Sequence, residues 1–324
     1  MKRLLGFAMP IFVAATFAAA CGTSETPADS QPGASTGPVS VTDGRGKEIK
    51  LNSPAKKVVG LEWGEVEMLI SLGVMPVGVA DVKGYSTWVT AEKLDASVKD
   101  VGTRNEPSVD SVVALQPDLV VMEGDNPALV EQLEKIVPVL VAKGSDASRN
   151  LDRMREDFKM IATAVGKTSE ATKILGEFDA ALAAGKQKVA AAGKASKPFA
   201  IADGWKDGSK ISIRMFGQGA LVSQLGIQLG LKNAWTAETD KAWGLGATDV
   251  EGLAVLKDTD LHWFYNASDG LDVFADGLAG NAIWDSMTVV KNKQLHKMPN
   301  GIWTFGGPAS CTQYLDELLK VYGS

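Results

Sequence analysis

Two histidines and two cysteines are all that 324 residues offer as soft ligands to a transition metal. A structural or catalytic site of that kind needs three or four such groups at close spacing, so no direct metal site is expected. His262 lies inside an apolar run and is assigned to the core. Positive charge is also scarce. Lys and Arg number 33 against 39 Asp and Glu, the net charge is −6, and only seven of the cations are arginines. That balance excludes the basic footprint that nucleic acid demands. No Gly-x-Ser-x-Gly stands at a strand-to-helix elbow; the one match, Gly33 to Gly37, falls in a Ser-, Pro- and Gly-rich stretch. Gly166-Lys167-Thr168 copies the end of a phosphate loop, but Ile161 stands where the leading glycine must be. Nothing in this inventory argues for catalysis.

The first residues carry export features. Lys2 and Arg3 precede an apolar run from Leu4 to Phe17, too short to remain as a bilayer-spanning helix. Ala18-Ala19-Ala20-Cys21-Gly22 follows and resembles a bacterial lipobox, which would put lipid on Cys21. Ordinary cleavage after an Ala-x-Ala site, leaving an idle thiol, is the alternative. With Cys21 lipidated, Cys311 is left unpaired and is expected to be a buried small hydrophobe. Residues 21–37 are rich in Ser, Thr, Pro, Gly and Ala and read as a flexible tether after a signal peptide of residues 1–20.

The folded part is organised around two helices in series. Leu151, Met154, Phe158, Ile161, Ala162 and Val165 recur at helical spacing, Gly166 interrupts, and Ile174, Phe178, Leu182 and Val189 continue the stripe. Thr168 is placed to cap the second helix. About 24 residues at 1.5 Å rise would span roughly 36 Å. On both sides, short β-branched runs alternate with helical patterns. Asp43-Gly44 supplies a hairpin turn between Val39 and Ile49. Val58 to Leu61, Pro76 to Ala80, Leu119 to Met122 and Val137 to Val141 read as strands of a first lobe, with Tyr85 to Val89 in a loop. Phe199 to Ala202, Ile211 to Phe216, Leu261 to Tyr265 and Gln294 to Met298 belong to a second, and Tyr314 to Tyr322 to a final helix. The fold class is therefore α/β, with two mostly parallel lobes joined by one long bridging helix. The boundaries are 38–166, 167–193 and 194–324. A strut of this kind suits a protein that binds in the cleft between its lobes.

Eight tryptophans carry the clearest functional signal. Trp63, Trp205 and Trp303 follow predicted strand ends, and Trp88 and Trp243 fall in loops; carboxyl ends of strands form the ligand crevice of an open α/β sheet. Large aromatics there make a concave wall. Trp263 and Trp284 are assigned to the core. Arg104 and Arg214 stand near this rim, each able to fork onto paired ligand oxygens or to pair with a carboxylate such as Glu106.

Gly60-Leu61-Glu62-Trp63, Val79-Ala80-Asp81 with Tyr85 and Trp88, and Asp100 through Pro107 together resemble the ferric-hydroxamate-binding proteins of siderophore import. So do Phe216-Gly217, Asn233 through Thr239, Trp243-Gly244 and Ile302-Trp303-Thr304-Phe305-Gly306. The resemblance implies two Rossmann-like lobes, a shallow aromatic cleft and delivery to an ABC permease dimer. By matched position it implies that Trp88, Arg104, Trp235, Trp243 and Trp303 line the ligand site, with Trp63, Tyr85 and Phe305 close by. Trp205 and Arg214 join them from the reading of the rim. Asp110 and Glu251, which open matching segments of the two lobes, would meet permease arginines; Thr248 with Glu251 is also a capping-box spacing. The implied protein is a monomer, lipid-anchored at the outer face of the bacterial cytoplasmic membrane, with no cofactor and iron held only through the siderophore. An apolar wall with one or two arginines suits a neutral ferric trihydroxamate, whereas polyanionic catecholates or citrates call for a basic cluster. A cobalamin or haem carrier on the same scaffold and a siderophore esterase are the alternatives.

Overall fold

The computed structural model describes residues 37–324 except residue 269. The signal peptide, Cys21 and the tether up to residue 36 lie outside the described residues. Strands β1 (Val39–Thr42) and β2 (Glu48–Leu51) form the expected antiparallel hairpin, with Val39 opposite Leu51. The turn is not the two-residue Asp-Gly type. It spans five residues, because the Asp43 carboxylate accepts from the backbone N–H of Arg45 and Lys47 at 2.9 and 3.0 Å, and Gly46, at φ +82°, takes the left-handed position.

The first lobe then runs β3 (Val58–Gly60), α1 (Trp63–Ser71), β4 (Gly78–Val79), α2 (Val82–Trp88), β5 (Lys99–Asp100), α3 (Val109–Ala114), β6 (Leu119–Glu123), α4 (Pro127–Glu134) and β7 (Val139–Ala142). Its five strands are all parallel, in the order β5-β4-β3-β6-β7. Val58, Val59, Leu119 to Val121 and Val139 to Val141 are buried, the continuous apolar run of strands covered on both faces. Tyr85 to Trp88, expected in a loop, belong to helix α2. Asp81 starts it by accepting from Gly84 N at 2.9 Å. Glycine and β-branched residues in so short a helix leave no apolar period to read.

Helices α5 (Asn150–Ala164) and α6 (Thr168–Ala191) are the two expected in series, and α6 has the anticipated 24 residues. Gly166 closes α5 at φ +68°. Thr168 does not cap α6: it is already the first helical residue, and the residue before it, Lys167, makes no capping bond. The second lobe follows as β8 (Pro198–Asp207), β9 (Lys210–Phe216), α7 (Leu221–Gln228), β10 (Lys232–Asn233) and β11 (Leu245–Thr248). A 3₁₀ turn (Gly252–Leu256), β12 (His262–Asn266), a π-helical turn (Val273–Gly277), α8 (Ala282–Ser286), α9 (Thr288–Lys291), β13 (Leu295–Lys297) and α10 (Pro308–Tyr322) complete it. The sheet order is β11-β9-β8-β12-β13, with β10 beside the start of β8. This sheet is mixed rather than mostly parallel: β8 runs five residues past Ala202 and pairs antiparallel with β9, as β9 does with β11.

One apolar core serves both lobes. Val58 and Leu119, Phe158 of α5, Phe178 and Leu182 of α6, Phe199 and Phe216, and Leu318 of α10 belong to the same buried cluster. At Gly185 of α6 a Cβ would stand 2.7 Å from Leu229 and 3.2 Å from Leu319, so glycine permits the close approach of neighbouring structure. Trp263 and Trp284 pack edge to face with centroids 5.7 Å apart, and Cys311 is buried, its thiol pushed up by desolvation. His262 and His296 contact each other through Nδ1 and Nε2 at 2.8 Å. Among the described residues no helix is long and apolar enough to cross a membrane.

Candidate functional site: aromatic rings between two paired arginines

In the first sheet the chain builds outward from β3 to β4 and β5, then returns to place β6 on its other side. The crevice beyond the carboxyl ends of β3 and β6 is the switch point where such sheets hold ligands. The chain leaves β3 through Leu61 and Glu62 and enters α1 at Trp63. In the second sheet β8 is the corresponding inner strand. Its Asp203 faces Arg214 of β9 across the hairpin. A third segment, Ile302 to Phe305, adds two rings. Its position is held by Thr90, whose N–H and hydroxyl both donate to Gly301 O at 2.8 and 2.9 Å, and by Asn266, whose amide donates to Ile302 O at 3.1 Å.

These elements assemble a chain of rings. Trp303 packs edgewise on Trp63 at 5.1 Å, on Trp88 at 6.2 Å and on Phe305 at 5.3 Å. Phe305 continues to Trp243 at 5.2 Å and to Phe216 at 5.8 Å. Arg104 covers one end, its guanidinium 4.9 Å from the Trp63 centroid and 5.4 Å from that of Trp303. Arg214 covers the other, 5.5 Å from Phe305 and 5.8 Å from both Trp205 and Phe216. Each arginine is tied to a carboxylate. Arg104 Nε donates to Glu62 at 2.6 Å, and Arg214 donates through two nitrogens to Asp203, 2.9 Å for Nε. The partner of Arg104 is thus Glu62, not Glu106. Burial pushes the carboxyls of Glu62 and Asp203 up, against the pull of their arginines.

Each residue singled out from the sequence now has a place. Trp88, Trp243, Phe305, Arg104 and Arg214 are partly open at the cleft. Trp205 is the most exposed of the large aromatics at 49%, and lies within β8 rather than beyond a strand end. Trp63 and Trp303 sit beneath Arg104 and are nearly covered, so the guanidinium faces outward in their stead. Trp63 donates its indole N–H to Ala80 O at 3.1 Å, whereas the buried N–H of Trp303 has no partner. Tyr85 does not reach the cleft: it is fully buried behind Trp63, and its hydroxyl donates to Glu92 O at 2.9 Å. Trp235 is buried in the core of the second lobe with Ile213 and Met215, outside the ring chain.

Asp110 and Glu251 are exposed, and their carboxylates form no hydrogen bond or ion pair with another described residue. The start of α3 is capped by Ser108, which accepts from Ser111 N. The Thr248–Glu251 capping box does not form, because Asp249 accepts from Gly252 N at 3.0 Å and Thr248 donates to the Asp249 carbonyl. Glu62, Asp203 and Phe216 were not picked out beforehand as parts of the site. An acidic residue directly after a strand at the switch point was the available signal for Glu62. Below the rings lie Glu65 and Glu123, both pushed well above the usual carboxylate range by burial and by their acidic neighbours. Asp157, also raised by burial, is held by Arg153 at 2.7 Å.

Two central strands with carboxylate-held arginines, around an aromatic ridge, define a binding cleft in a two-lobed α/β protein. The family described as periplasmic binding protein matches residues 58–301, and the chain belongs to that family. It is 28% identical over 270 residues to the iron(3+)-hydroxamate-binding protein FhuD of Escherichia coli K12, covering 82% of this chain and 87% of that protein. It is 23% identical over 330 residues to the "probable siderophore-binding lipoprotein YfiY" of Bacillus subtilis 168, covering 99% and 98%. The crystal structure of the Fe3+–Desferal-bound siderophore binding protein FhuD of Vibrio cholerae superposes with a TM-score of 0.69 at 23% identity, over 83% of this chain and 98% of that one. This last likeness concerns the fold.

Proposed function

We propose that the protein captures a ferric siderophore outside the cytoplasm and delivers it to an ABC permease for iron uptake. The observation that carries this reading is the ridge of rings with an arginine at each end, in a family whose members are binding proteins. Iron stays caged by the siderophore, and the protein touches only the organic shell. Trp88, Trp243 and Phe305 supply apolar contact, and Arg104 and Arg214 supply donors to chelating oxygens.

Charge selects the ligand class. Each arginine already carries a carboxylate, so the cleft has no surplus of positive charge. A polyanionic ferric catecholate or citrate would be desolvated there without compensation, whereas a neutral or weakly cationic ferric trihydroxamate would not. The hydroxamate class is favoured on that ground. Asp110 and Glu251, free of partners and one in each lobe, are suited to meet arginines of a permease dimer. Lipid on Cys21 would keep the monomer at the outer face of the cytoplasmic membrane.

Tryptophan-fluorescence quenching with ferric hydroxamates, catecholates, citrate, cobalamin and haem tests the reading. Saturable quenching by hydroxamates alone is expected. A Soret change on haem addition, with no response to hydroxamates, would replace this function by haem transport; release of product from ester siderophores would replace it by catalysis.

A further inference from the structure

Beside Arg104, at the carboxyl ends of β3 and β6, lies a cavity of about 260 Å³ lined by Glu62, Asn105, Glu123, Asp125 and Asn126. Its acidic character exceeds what the protein uses internally. Arg104 is spent on Glu62, and Arg153, the nearest cation below, on Asp157 and Glu156. The Glu123 carboxyl makes no hydrogen bond to a described residue and lies against Gly144, where a Cβ would come within 2.5 Å. Glu123 also lines a second, much smaller cavity of about 20 Å³ under the ring chain, shared with Glu65, Asn150 and Asp157. That space holds one atom the size of a water or an ammonium nitrogen. Glu65 is only 2% exposed, yet its Oε2 has no partner. A buried carboxyl oxygen left unpaired is costly unless something arrives to pair it.

We propose that Glu123 and Glu65, with Asp125 at the mouth, form a subsite for a protonated primary amine carried on an arm of the ferric complex. This rests on the reading of the cleft as a siderophore site and makes that reading more specific: the preferred complexes bear a cationic arm. Asn105 and Asn126 line the same cavity, the Asn126 carbonyl already accepting from Leu129 N at 3.1 Å, and Arg104, neutralised by Glu62, does not repel the arm. The charged groups around Glu123 are Glu62, Glu65, Asp125, Arg104 and Asp157. Burial and acidic neighbours push its carboxyl well above the usual carboxylate range in the empty protein. An arriving ammonium favours the carboxylate, so binding draws proton from Glu123 toward solvent as the cation enters.

The test compares a linear ferric trihydroxamate with a free terminal amine against the same complex N-acetylated, by calorimetry in two buffers of different ionisation enthalpy. The amine complex is expected to bind at least about tenfold more tightly, which is about 1.4 kcal/mol, and to release a proton where the acetylated one does not. Glu123→Gln is expected to bring the two affinities together and abolish the proton release, while the acetylated complex binds as before, which also shows the variant is folded. Glu65→Gln is expected to narrow the preference in the same direction. Equal affinity for both complexes in the wild-type protein would overturn the subsite and leave the siderophore reading intact. Binding of neither complex would overturn both.

Discussion

Glu67 offers the most direct test of how the two lobes are joined. It lies on α1 in the first lobe, is fully buried, and accepts from the Ser310 N–H at 2.9 Å and from the Ser310 hydroxyl, both on α10 of the second lobe. Burial pushes its carboxyl up to about 7 from an ordinary 4.5, although the Ser310 bonds pull the other way. The folded protein therefore holds this proton more tightly than the unfolded chain. The sign follows: the associated stability is fully present below pH 4.5 and is lost as pH rises through about 7. At 1.36 kcal/mol per decade the loss amounts to roughly 3 kcal/mol. For about 290 residues at about 2.1 cal/mol/K each, that is a fall in Tm on the order of 5 °C. Glu67→Gln keeps an oxygen to accept from the Ser310 N–H, and its amide can donate to the reoriented hydroxyl, but it cannot ionise. Other buried carboxyls titrate too, so the informative quantity is the Tm of wild type minus that of the variant, measured by calorimetry from pH 5 to pH 8. That difference should move steadily against the wild type as pH rises. A difference that is constant with pH would refute the assignment of a shifted proton to Glu67.

Arg104→Ala should weaken ferric-hydroxamate binding by about 2–4 kcal/mol, since it removes a donor and strands Glu62; an unchanged Kd by fluorescence quenching would take Arg104 out of the site. Reversing charge with Asp110→Lys and Glu251→Lys together should abolish siderophore-dependent iron uptake with ligand affinity intact, and a collapse of affinity would return the pair to folding or the cleft. Gly64→Ala should destabilise by about 1–3 kcal/mol in urea unfolding. Its Cβ would stand 2.8 Å from the Phe305 carbonyl, so overpacking outweighs the usual helical gain of alanine. A more stable variant would show that the Phe305 segment gives way freely.

Features that repeat along the chain were legible without coordinates, and features made by pairing at a distance were not. The stripe from Leu151 to Val189 announced α5 and α6 because each apolar residue reports the same buried face. Strands β5 and β10, two residues each, escaped notice, since they exist only through neighbouring backbones. The extension of β8 to residue 207 was hidden likewise: its partner is β9, and the polar Asp203 to Lys206 carry no strand signature of their own. At the site, the rings could be picked out by type and position. Their exposure could not: the resemblance alone put Trp235 at the cleft and Tyr85 close by, and the fold buries both. Glu62 and Asp203 went unremarked because a carboxylate acquires meaning only when a guanidinium 42 or 11 residues away is brought against it.

The core shared by α5, α6 and α10 has a further consequence for how this molecule comes apart. Each lobe has a core of its own, but Phe178 and Leu182 belong to a third apolar mass that takes in residues of both sheets. Heating should give a single calorimetric peak, with the cleft and the strut lost in one step. A proteolytic nick in the α5–α6 connection at Gly166 would leave two pieces that stay together until denatured.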